Sequence, residues 1–114
     1  MAWESFSIGK YEVFLIADNT KGLEGTYGFI NLYWQGQYHA KIWFYRGNGP
    51  TKVPNASYVS GGFKIYYAYF QQAQFHDSID LLRNEKPVYF QWNEATKGAY
   101  LATSQEPVGE EELP

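Results

Sequence analysis

Two nine-residue stretches, Thr26–Trp34 (TYGFINLYW) and Tyr38–Arg46 (YHAKIWFYR), flank Gln35-Gly36-Gln37 and constrain this chain more than any other feature. Aromatic and β-branched residues crowd both stretches, and a three-residue spacer containing glycine reads as the loop of a β-hairpin. Side chains alternate between the two faces of a strand, and cross-strand partners share a face, so the register can be tested residue by residue. With Ile30 opposite Ile42, one face pairs Trp34 with Tyr38, Leu32 with Ala40, and Gly28 with Phe44. The other face pairs Tyr33 with His39, Asn31 with Lys41, Phe29 with Trp43, and Tyr27 with Tyr45. Slipping by one residue would set Ile30 against Lys41 and Leu32 against His39, mixing apolar and polar groups on both faces. Burial of one face selects against such a slip. The hairpin therefore predicts an apolar lining and a second, aromatic face interrupted by Asn31, His39 and Lys41.

Composition extends this picture to the whole chain. Twenty-three of the 114 residues are Phe, Trp or Tyr, and eleven glycines and five prolines supply turn chemistry between the aromatic runs. Such a chain is expected to be β-rich and to form one domain. The absence of cysteine excludes a disulfide framework, a thiolate zinc site and a cysteine nucleophile. No apolar run approaches the ~20 residues a membrane helix needs, and the N-terminus shows neither a basic nor an apolar leader region. The expectation is a soluble, cytoplasmic domain over residues 1–105 with an acidic tail over 106–114. Glu106, Glu110, Glu111 and Glu112 fall in that tail, and the remaining chain is close to electroneutral. Solvated, frayed tails have this character.

Further elements follow from pattern. Trp3–Ile8 and Tyr11–Asp18 read as strands, the second apolar in both alternating sets and so expected to be buried on both faces. Asn55–Ser60 reads as a short edge strand and Phe63–Phe70 as a longer one. Asp77–Glu85 is the expected helix, with Asp77 as cap, Phe75, Ile79 and Leu82 on one apolar stripe, and Pro87 ending it. Residues 87–92 and 99–104 read as a closing hairpin. The predicted fold is α+β: a bent antiparallel sheet or partly open barrel of about six or seven strands, with one short helix before the C-terminal hairpin.

Catalytic motifs are thin. His39 and His76 lack partners at useful spacing, no G-x-S-x-G elbow is present, and GNGPTK lacks the spacing of a phosphate loop. No metal or cofactor is expected, and the chain reads as a non-catalytic module. One constellation stands out. Residues 25–76 contain no Asp or Glu, yet hold Lys41, Arg46, Lys52, Lys64, both histidines and fifteen of the aromatics. The binding residues expected from it are Tyr27, Phe29, Tyr33, His39, Lys41, Trp43, Tyr45 and Arg46. Tyr, Trp and Arg are enriched in interface cores, which favours a protein partner or self-association. Stacked rings beside Lys and Arg would also suit single-stranded nucleic acid, although an acidic pI argues against it. A small molecule or glycan is the third class, and no membrane partner is expected.

Overall fold

The hairpin forms in the computed structural model, which describes residues 3–47 and 53–104. Strands β3 (Thr26–Trp34) and β4 (Gln37–Tyr45) pair antiparallel with Ile30 opposite Ile42, Phe29 opposite Trp43, Asn31 opposite Lys41, and Leu32 opposite Ala40. The loop differs from expectation. It has two residues, Gln35 and Gly36, both with positive φ, the geometry that matches the twist of the flanking strands. The shorter loop sets Tyr33 opposite Tyr38 and Trp34 opposite Gln37. A bulge at His39 then restores the expected register, and a second bulge at Tyr27 leaves Thr26 opposite Tyr45. The expected pairs Tyr33–His39, Trp34–Tyr38 and Tyr27–Tyr45 are therefore replaced.

Around this hairpin lie β1 (Trp3–Ser7), β2 (Lys10–Leu15), β5 (Ala56–Ser60), β6 (Phe63–Gln71), α1 (Phe75–Asn84), β7 (Val88–Asn93) and β8 (Gly98–Thr103). The fold is sheet-rich α+β, with eight described strands in two sheets and the helix ahead of the C-terminal hairpin. The larger sheet has the order β2-β3-β4-β6-β5 and the smaller β1-β7-β8. Neither closes into a barrel. One pair, β4 with β6, is parallel where an antiparallel sheet was expected. The reason is the chain path: β5 takes the outer edge, and its hairpin brings β6 back into the gap beside β4.

The inner face of the larger sheet presents Ile30, Leu32, Ala40, Ile42, Phe44, Tyr66 and Ala68, all buried. Phe6 from β1 and Phe90 and Trp92 from β7 meet it from the smaller sheet, each packing its ring against Tyr66. Helix α1 starts at Phe75, two residues earlier than expected, after a short 3₁₀ turn over Gln72–Gln74. Asp77 is thus in the first helical turn rather than at the cap. Phe75 is buried edge-on against Phe44 and Tyr27, with ring centroids 5.0 and 5.2 Å away, and Ile79 and Leu82 pack on the same core as their spacing predicts.

Strand β2 departs from expectation. It lies at the edge of the larger sheet and exposes Val13, Phe14 and Leu15. Apolar residues in both alternating sets predict burial on two faces, but here they sit where the sheet ends. The tail over 106–114 and Lys52 lie outside the described residues. Among the described residues, no helix is long and apolar enough to cross a membrane.

Candidate aromatic sheet face

The smaller sheet and α1 both lie on the inner face of the larger sheet. Its outer face has no covering layer among the described residues, and this face carries the rings. Phe14 stacks on Phe29 at 4.5 Å with the planes 17° apart, and Phe29 meets Trp43 at 5.2 Å. Trp43 then lies parallel to Tyr69 at 6.4 Å and edge-on to Tyr67 at 6.0 Å, and Tyr67 meets Tyr58 at 5.3 Å. These six residues come from β2, β3, β4, β6 and β5, so the run crosses every strand of the sheet, roughly 19 Å at the usual strand spacing. Cross-strand register is the cause, since Phe14, Phe29, Trp43 and Tyr69 are successive partners.

Polar groups border the run. Lys41 Nζ lies 4.3 Å from the Phe29 ring centroid and 4.9 Å from that of Trp43, a cation held over two π faces. Glu12 Oε1 accepts hydrogen bonds from Tyr33 Oη at 2.5 Å and Asn31 Nδ2 at 3.2 Å. The Tyr33 bond, then the Asn31 bond, hold the Glu12 carboxyl below its ordinary value, and the carboxylate in turn holds the Tyr33 phenol up. Burial, with Tyr67 and Tyr58 nearby, raises Tyr38. The indole Nε1 of Trp43 and Oδ1 of Asn31 are buried without a partner among the described residues.

The eight residues singled out in the sequence divide into two groups. Phe29, Tyr33, Lys41 and Trp43 come together on the outer face, and strand alternation places Tyr45 there too, half-buried. Tyr27 and His39 sit at the two bulges and leave it. Tyr27 turns to Phe75, and His39 stacks on Trp34 at 5.4 Å and packs against Phe6 at 4.8 Å on the core side. Arg46 lies over the Tyr27 ring, where its guanidinium donates to the Ile16 carbonyl at 2.7 Å and pairs with Asp18 at 3.4 Å. Lys64 points the other way, bound to Glu4 at 3.0 Å and Glu94 at 2.6 Å. The basic residues of the acid-free segment are thus dispersed.

Phe14, Tyr38, Tyr58, Tyr67 and Tyr69 join the face without having been singled out. Alternation in FKIYYAYF separates Tyr67 and Tyr69 from the buried Tyr66 and Ala68 and was a usable signal for two of them. A cavity of about 410 Å³ opens at the rim between the sheets, lined in part by Glu4, Phe6, Trp34, His39 and Tyr66. No group of three or more His, Asp or Glu among the described residues is placed to hold a metal ion. Comparison with known proteins returns no matching family model, no matching curated relative and no matching solved structure.

Proposed function

We propose that the chain is a non-catalytic binding module whose outer sheet face docks a protein partner or a second copy of itself. The observation that carries this reading is the ring run from Phe14 to Tyr58, exposed at its two ends, partly buried between them and continuous across five strands, with Lys41 and Glu12 as its charged groups. Rigid aromatic rings offer large contact area at low entropic cost, which is why they dominate interface energetics. Nucleic acid is the weaker reading, because Arg46 and Lys64 are engaged in ion pairs away from the face and few cations are left to follow a phosphate chain.

The test compares wild type with Trp43→Ala in an association measurement and in a fluorescence titration with oligo-dT at two salt concentrations. Association that weakens in Trp43→Ala supports the reading. Salt-sensitive binding of oligo-dT that falls further in Lys41→Glu would replace it with nucleic-acid binding. A Trp43→Ala protein that matches wild type throughout would remove the face from function.

A further inference from the structure

We infer that β2 is a self-pairing edge: two copies of the chain join antiparallel along Tyr11–Leu15, making one ten-stranded sheet across a two-fold axis. The inference does not rest on how the aromatic face is used. It begins from the backbone. Ile16 N donates to Tyr27 O at 3.0 Å, and these two residues continue the β2–β3 register. Antiparallel ladders alternate between residues that exchange hydrogen bonds and residues that do not. Even-numbered residues of β2 therefore face β3, and the N–H and C=O groups of Tyr11, Val13 and Leu15 point outward from the sheet.

An exposed row of this kind is a template for another strand, and folded proteins usually blunt it with proline, a bulge or an inward charge. β2 has no proline. Its central charge, Glu12, is drawn onto the outer face by Tyr33 and Asn31. Lys10 sits at the strand's first position, and beyond Glu12 the edge is apolar: Val13 is 40% exposed, Phe14 42% and Leu15 66%.

The occupant is a second β2 because the strand complements itself. With Val13 opposite the second copy's Val13, Tyr11 falls opposite Leu15 and Leu15 opposite Tyr11, so all three outward-facing residues find bonded partners. The exposed Lys10 end of one strand then approaches the Asp18 end of the other, where the carboxylate is 86% exposed. Moving the axis to Glu12 would set the two Glu12 carboxylates against each other. Moving it to Tyr11 would call on Gly9, whose N–H already donates to Tyr33 O at 2.9 Å. The Val13 axis also places the two Phe14 rings diagonally across the junction and continues the ring run from one copy into the next. A single strand pair buries less than a standard interface, so the association expected is micromolar or weaker.

Sedimentation velocity across the micromolar to millimolar range tests this. Wild type is expected to pass from monomer to dimer, and Val13→Pro to stay monomeric with an unchanged circular dichroism spectrum, since an outward N–H is the one proline can replace in an edge strand. Leu15→Lys, which leaves the backbone intact, is expected to weaken the dimer as well. Val59→Lys, on the opposite edge strand β5 where Val59 is 72% exposed, is expected to leave it unchanged. A wild type that remains monomeric overturns the inference. So does a dimer that survives both β2 variants, and its loss in Trp43→Ala would then assign association to the face instead. Loss in Val59→Lys as well as in the β2 variants would mean a head-to-tail β2–β5 contact and would overturn the two-fold arrangement.

Discussion

Gly28 shows how a single residue fixes the approach of two strands. A Cβ built there would lie 2.4 Å from the Phe14 carbonyl oxygen, and 3.5 Å from Leu15 Cα. The obstacle is backbone, so Gly28→Ala must displace the end of β2. It is expected to destabilise by about 1–3 kcal/mol, the usual range for overpacking. Gly9→Ala, whose Cβ would meet nothing nearer than 3.8 Å, serves as the comparison. Urea unfolding of the two variants checks this, and equal midpoints would show that β2 yields freely. Residue patterning was legible where burial on one side decides it, as at Ile30, Leu32, Ile42 and Phe44. It was not legible at Tyr27 and His39, because both sit at bulges. A two-residue turn with Gln35 and Gly36 at positive φ shortens the loop, and the extra residue at position 39 compensates. Alternation alone contains no term for that exchange.

The elements record the same division. Strands, helix and closing hairpin were legible from periodicity, but their neighbours were not. The parallel placement of β6 beside β4, with β5 outside it, is a long-range pairing that no local pattern encodes, and that placement adds Tyr67 and Tyr69 to the candidate site. The β5–β6 hairpin also gives a measurable signature. Tyr58 Oη donates to Tyr67 Oη at 3.3 Å, and this bond, followed by burial, raises the Tyr58 phenol to about 12. An unfolded tyrosine ionises near ~10. A raised folded value means that the stabilisation is complete below ~10 and is lost as the pH rises through the folded value. Tyr58→Phe is expected to remove one late phenolate from an ultraviolet titration and to make the alkaline loss of stability shallower. Loss of a phenolate that ionises near ~10 instead would show that the two hydroxyls do not interact in solution.

At the scale of the whole molecule, the two sheets are tied at one end by a polar cluster as well as by the core. Glu4 of β1 accepts from Tyr66 Oη and from Lys64 Nζ of β6, and Lys64 also reaches Glu94 beyond β7. Buried Trp92 donates its indole N–H to that same Glu94 at 3.1 Å. The Tyr66 bond above all, then Lys64, hold the Glu4 carboxyl below its ordinary value against the opposing effect of burial. A lowered folded value gives stability that is full above the unfolded carboxylate value of ~4.3 and is lost as the pH falls through the folded one. The difference in urea midpoint between wild type and Glu4→Gln is therefore expected to narrow below about pH 4. A constant difference would mean that Glu4 is not charged in this cluster.

The crossing between the sheets has a consequence in time. Ile8 N donates to Val88 O, and the next amide, Gly9 N, donates to Tyr33 O, so adjacent residues belong to different sheets. A ribosome delivers the chain in order, at about 5–20 residues per second. β3 and β4 can pair once Arg46 has emerged, but β1 has no strand to join until Val88–Asn93 is made. For an interval on the order of seconds, Ile30, Leu32, Ile42 and Phe44 stand on a nascent sheet with nothing over them. β1, made before the other described strands, is among the last of them to be placed, and that delay sets how long this apolar surface must be kept from other nascent chains.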